Sequence, residues 1–170
     1  MKITKMILSG ALIISTSLVF NACSDKNIDS EAPVITLNEP KNEDAIKIGD
    51  PAGVHMEMEL SDNIKLSSYK VNIHSNFDHH SHTRADESAV ETAAFEYTKV
   101  FTEAEGEKLS TKKNAHIHHH EIIIPATFNG KPIKEGEYHF IVYCTDMAGN
   151  ESFVVRDVIL SYSAASHTHE

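Results

Sequence analysis

The sequence predicts an all-β fold. From Pro33 onward, apolar and polar residues alternate over short runs instead of following a helical period, and turn residues separate those runs. The composition supports a folded chain, because 41% hydrophobic residues are enough for a core and too many for a disordered polymer. At 170 residues, the chain has room for one domain of ordinary size.

Pro33 to Leu37 reads as the first strand. In the second, Val54, Met56, Met58 and Leu60 alternate with His55, Glu57 and Glu59, and Ser61-Asp62-Asn63 ends the run. Leu66 to Ser75 follows, with Tyr69, Val71 and Ile73 inward and Lys70, Asn72 and His74 outward, so one face meets water. Phe95 to Phe101 and His118 to Ile124 are the fourth and fifth strands. Tyr138 to Cys144 places Tyr138, Phe140, Val142 and Cys144 inward, and Phe153 to Tyr162 closes the domain. About seven short strands fit an immunoglobulin-like β-sandwich. Between the last two, Asp146 is placed to accept backbone hydrogen bonds while Gly149 supplies positive φ before Asn150, a structural turn. Thr83 to Asn114 reads as a long irregular insertion with one strand candidate and a helical turn near Ala89 to Ala94.

The N-terminus has a different character. Lys2 and Lys5 precede an apolar run from Met6 to Phe20 that ends in Asn21-Ala22-Cys23, the pattern of an export signal over residues 1–22. The run is shorter than the ~20 residues that span a bilayer as a helix. Cys23 after a small residue resembles a lipobox cysteine, acylated to become the mature N-terminus. Residues 23–32 then form a flexible polar tether, 33–162 the domain and 163–170 a His-containing tail. Cys144 is left as the one thiol of the mature domain, so the expectation is a fold without an internal disulfide. Lipid attachment implies the membrane as a partner. Ser24 after the cysteine favours the outer membrane, with surface exposure open.

The net charge of −10, and −12 once the two signal lysines leave, argues against nucleic-acid binding, which needs a basic surface. Twelve histidines and no tryptophan stand out. Eight of the 12 lie in two windows, His74 to His82 and His116 to Glu121, each containing an acid. Strand residues two apart point the same way, roughly 6.5 to 7 Å apart, so His118 and His120 can converge on one ion. Neutral imidazoles and a carboxylate such as Asp78 suit Zn²⁺ first, with Cu²⁺ or Ni²⁺ open. The expected metal ligands are Asp78, His80 and His82 acting with His118 and His120, with His74 and His139 as second choices; His55 is less well placed. A simple sandwich puts the two windows up to about 20 Å apart, so they form one site only if the intervening loop folds back, and two otherwise. Exposed histidines also serve as plain polar residues on a wet strand face, the reading given to His167 and His169 in the tail.

The segments His74-x-x-Phe77-Asp78-x-His80-x-His82, His118-x-His120-x-Ile122-x-Ile124-Pro125 and Tyr138-His139-Phe140 through Asp146 to Asn150 resemble the uncharacterised Bacteroidota lipoproteins of the domain of unknown function 4625 family. The resemblance covers nearly all of Pro33 to Ser161. It implies a cell-envelope lipoprotein with an immunoglobulin-like fold and supplies no activity.

The leading expectation is therefore a non-catalytic envelope lipoprotein with a His-rich divalent-metal site, used for capture, sensing or a metal-fixed contact with an envelope protein. An adhesion or glycan-binding module is the alternative by analogy of fold, with Phe77, Tyr143 and Tyr162 as its aromatic contacts. A zinc or copper metalloenzyme is the third class, with Glu121 the nearest general base. The sequence carries no H-E-x-x-H, nucleophile elbow or phosphate loop, which argues against catalysis.

Overall fold

The computed structural model describes residues 29–77 and 90–166. Among the described residues, twelve strands run in chain order as β1 (Val34–Glu39), β2 (Ala45–Lys47), β3 (Val54–Ser61), β4 (Leu66–Ser75), β5 (Tyr97–Phe101), β6 (Glu103–Ala104), β7 (Glu107–Lys108), β8 (Asn114–Ile122), β9 (Thr127–Phe128), β10 (Lys131–Pro132), β11 (Gly136–Asp146) and β12 (Glu151–Ser161). They build an all-β sandwich: a three-stranded sheet ordered β1-β3-β8 and a five-stranded sheet ordered β2-β12-β11-β4-β5. Two small ribbons, β6-β7 and β9-β10, lie outside both sheets. Among the described residues no helix is long and apolar enough to cross a membrane.

Alternation explains the layering. Val54, Met56, Met58 and Leu60 of β3 and Ala115 and Ile117 of β8 are buried on one sheet. Tyr69, Val71 and Ile73 of β4, Tyr138, Phe140, Val142 and Cys144 of β11 and Val158 and Leu160 of β12 are buried on the other. All belong to one hydrophobic cluster, so the inner faces meet across a shared core. Burying a side chain of this size stabilises the fold by about 1.5–3 kcal/mol. The intervening residues, including His55, Glu57, Glu59, His74 and His139, therefore point away from that core, on two opposite outer faces.

Asp146 and Asn150 close the hairpin between β11 and β12. Asp146 Oδ1 accepts hydrogen bonds from the backbone N–H of Ala148 and of Asn150, both at 2.8 Å, and Asn150 Nδ2 donates to Asp146 Oδ2 at 2.7 Å. Gly149 adopts φ 93°, the left-handed conformation that closes the turn. Burial works to raise the Asp146 pKa, but the hydrogen bonds from Asn150, Gly149 and Ala148 prevail and hold it below the usual carboxylate value.

Several elements depart from the expected layout. The strand expected over His118 to Ile124 begins earlier, at Asn114, because it pairs with β3 from Ser61 onward. β2 was not foreseen; it runs parallel to β12 and covers that sheet edge. The region read as an irregular insertion holds β5, β6, β7 and a 3₁₀ turn at Leu109–Thr111. Ala89 lies outside the described residues, and the described part of the expected helical turn is not helical. There Ala93 pairs in parallel with Ile133, donating to Pro132 O and accepting from Lys134 N, so its backbone groups are used between segments.

Candidate metal centre

The two outer faces carry two separate histidine groups. On the three-stranded sheet, β3 and β8 are antiparallel, with Glu57 opposite His118 and Met56 opposite His119. The next ladder pair is Val54 with Ile122, so His55 alone faces both His120 and Glu121. This is a β-bulge. It resets the alternation, letting Ile122 return to the core while His118 and His120 stay on the outer face. Gly53, at φ 80°, makes the close approach possible, since a Cβ there would collide with the His120 carbonyl oxygen.

His55, His118 and His120 converge as a result. The His55 ring stacks on His120 at a centroid distance of 4.9 Å and meets His118 edge-on at 5.2 Å, while His118 and His120 are 5.6 Å apart. One nitrogen from each ring lies within 4.8 Å of the other two. Two imidazoles on a tetrahedral zinc, each bonded at about 2.0–2.1 Å, have nitrogens about 3.3 Å apart, a difference that small side-chain rotations can close. The His120 Nε2 atom is already shielded from solvent. Glu57 of β3 stands opposite His118 on one side and opposite Glu39 on the other. A cleft of about 300 Å³, lined in part by Glu39, Asp44, Lys47, Asp50 and Gly53, reaches His55 but not His118 or His120. Imidazole nitrogens with a carboxylate on the neighbouring strand suit a divalent cation, and three protein ligands leave a coordination position open.

The other two histidines of β8 do different work. His116 Nδ1 lies 2.6 Å from Glu59 Oε1, and this hydrogen bond raises its pKa, favouring the cation over a ligand. His119 points inward, packed against Phe101 at 5.2 Å. Its Nδ1 accepts from Glu121 N at 3.3 Å, which leaves the ring proton on Nε2, 3.0 Å from the Tyr69 hydroxyl oxygen. Burial lowers its pKa and keeps it neutral. Glu121, the candidate general base, is an exposed partner of Lys99 at 2.9 Å.

On the five-stranded sheet, His139 and His74 are directly opposite each other in the β11–β4 ladder. Nδ1 of His139 lies 3.3 Å from Nε2 of His74. Nδ1 of His74 is 2.7 Å from Asn72 Oδ1, and Nε2 of His139 is 3.3 Å from Asp157 Oδ1.

The structure thus brings His118 and His120 together with His55, and His74 together with His139, and places the two groups on opposite outer faces. Asp78, His80 and His82, the lipidation candidate Cys23, and His167 and His169 lie outside the described residues. The contribution of His55 was missed because it stands alone in the sequence, although the alternation Val54-His55-Met56 already turned it outward. A convergent acidic set, Asp29, Asp62 and Asp146, serves the turns: Asp62 Oδ1 accepts from the backbone of Ile64 and Lys65.

No curated protein matches the chain. The family model described as Domain of unknown function (DUF4625) matches residues 21–161, which span both sheets and both histidine groups, and the chain therefore belongs to that family.

Proposed function

We propose that this chain is a non-catalytic metal-binding lipoprotein of the bacterial cell envelope, anchored in the outer membrane through Cys23. Its divalent ion, zinc first and copper or nickel next, is held by His55, His118 and His120 on an immunoglobulin-like domain. The observation that carries the reading is the convergence of one nitrogen from each of these three rings to within 4.8 Å on one face. The strand order supports the immunoglobulin-like assignment, since the first, third and eighth strands form one sheet and the fourth, eleventh and twelfth share the other. The lipoprotein assignment rests on the signal and Cys23.

The test is elemental analysis of the mature lipoprotein purified without a metal-affinity step, followed by Zn²⁺ titration. Wild type is expected to bind zinc with a Kd of about micromolar or tighter, and His118→Ala/His120→Ala is expected to lose one binding event. No zinc binding in wild type, or unchanged binding in the variant, overturns the reading. A surface-recognition role is then the second reading. It is favoured by the apolar strip on the outer face of the five-stranded sheet, where Phe153 is 65% exposed and lies beside Tyr143.

A further inference from the structure

We infer that His74 and His139 form a second cation site, independent of the first and on the opposite face of the sandwich. Asn72 orients the first ring. Its Nδ2 donates to Thr98 Oγ1 at 2.8 Å and to Tyr97 O at 3.3 Å, which fixes the amide with Oδ1 facing His74. An amide oxygen only accepts, so the neutral His74 ring carries its proton on Nδ1, 2.7 Å away, and its lone pair on Nε2. The Asp157 carboxylate lies 3.3 Å from the other nitrogen of His139, Nε2.

His74 Nε2 therefore accepts from Nδ1–H of His139, 3.3 Å away, so a single proton lies between the two rings. A divalent ion that displaces this proton would occupy the gap between the two nitrogens. The width of this gap matches the spacing of about 3.3 Å between two imidazole nitrogens bound to tetrahedral zinc at about 2.0–2.1 Å. Each ring also has an oxygen beside its other nitrogen, Asn72 Oδ1 at 2.7 Å for His74 and Asp157 Oδ1 at 3.3 Å for His139, the kind of neighbour that orients metal-bound histidines and raises their basicity. The His139 side chain is 30% exposed and Asp157 52%, so water can complete the coordination. Two imidazoles, a nearby carboxylate and no thiolate select a borderline divalent ion, Zn²⁺, Cu²⁺ or Ni²⁺. The two strands align the rings in their ladder without any ligand, so the pair is preorganised.

The experiment follows the ring nitrogens of the full mature chain by NMR during Zn²⁺ titration, in wild type and in His55→Ala/His118→Ala/His120→Ala. In both proteins, Nε2 of His74 and Nδ1 of His139 are expected to shift on adding zinc. If only the triple variant loses zinc-dependent changes at the first site while these two nitrogens still shift, the second site stands by itself. Asp157→Asn should weaken this site by about 10-fold or more, with the circular dichroism spectrum unchanged. The inference is overturned if zinc moves neither nitrogen, if a proton shared between the rings persists through the titration, or if Asp157→Asn binds as tightly as wild type.

Discussion

The outer faces of the two sheets reach their histidine groups by different routes. On the five-stranded sheet, His74 and His139 are opposite each other in a regular stretch of ladder, so alternation and strand adjacency suffice. On the three-stranded sheet, the triad depends on an irregularity: one residue of β3 faces two of β8, and Gly53 lets the backbones approach. A paired site in a regular ladder follows from strand order alone. A triad at a bulge also needs the local backbone, so a change that touches no ligand can destroy it.

The largest expected effect is at Gly53. Gly53→Ala puts a methyl group against the His120 carbonyl and forces an alanine into φ 80°, so we expect a loss of about 3 kcal/mol in denaturant unfolding. Zinc binding at the triad should go with it, while the His74–His139 ring signals keep their zinc response. A Gly53→Ala protein that still fills the triad would break the proposed dependence on the bulge.

Asp146→Ala should cost about 2 kcal/mol, because it removes the acceptor of three hydrogen bonds in the turn. Both histidine groups should bind as before, which separates general destabilisation from damage to a site.

The next comparison is within β8. His119→Ala removes an inward ring and leaves the Tyr69 hydroxyl without this partner, for an expected loss of about 1–2 kcal/mol and no loss of zinc. His118→Ala should change metal-free stability by less than about 0.5 kcal/mol and abolish zinc at the triad. Equal stability effects would contradict the opposite orientations of the two side chains.

The smallest effect is in pH dependence. The folded-state pKa of His119 lies below its ordinary value, so the unfolded chain takes up the proton first. Its contribution is full above about pH 6.5 and declines as pH falls below that. The metal-free protein should therefore unfold at lower denaturant at pH 5.5 than at pH 7.5, and His119→Gln should reduce the difference. His116 has the opposite sign, since its raised pKa stabilises at low pH and the contribution is lost as pH rises through it. That pair is exposed and screened by solvent, so its effect is the weaker of the two.

The residues explain what was legible in advance. Val54 to Leu60, Leu66 to Ser75 and Tyr138 to Cys144 alternate strictly, and every residue expected in the core from these strands is buried. The pairing of His139 with His74 follows from the same alternation once β4 and β11 are neighbours. Ala45–Lys47 was illegible because three residues carry no period, and their strand exists through parallel pairing with residues distant in sequence. The short β6–β7 ribbon was hidden in the same way, with one buried side chain, Ala104, among Glu and Lys. At the triad, the run of histidines announced chemistry but not its partner across the sheet. A bulge shifts which residue faces which, and spacing within one strand does not reveal that.

The burial of Cys144 has a consequence of another kind. Removal from water, with the charges of Asp62, Asp146 and Glu151 adding to it, pushes its thiol up to about 12, so the reactive thiolate is scarce at neutral pH and sealed in the core. Of the cysteines, Cys144 is the free thiol among the described residues, so alkylation there has to wait for the sandwich to part. The labelling rate becomes a clock for opening of the whole domain, a spectator that can time how firmly a bound ion holds the two sheets shut.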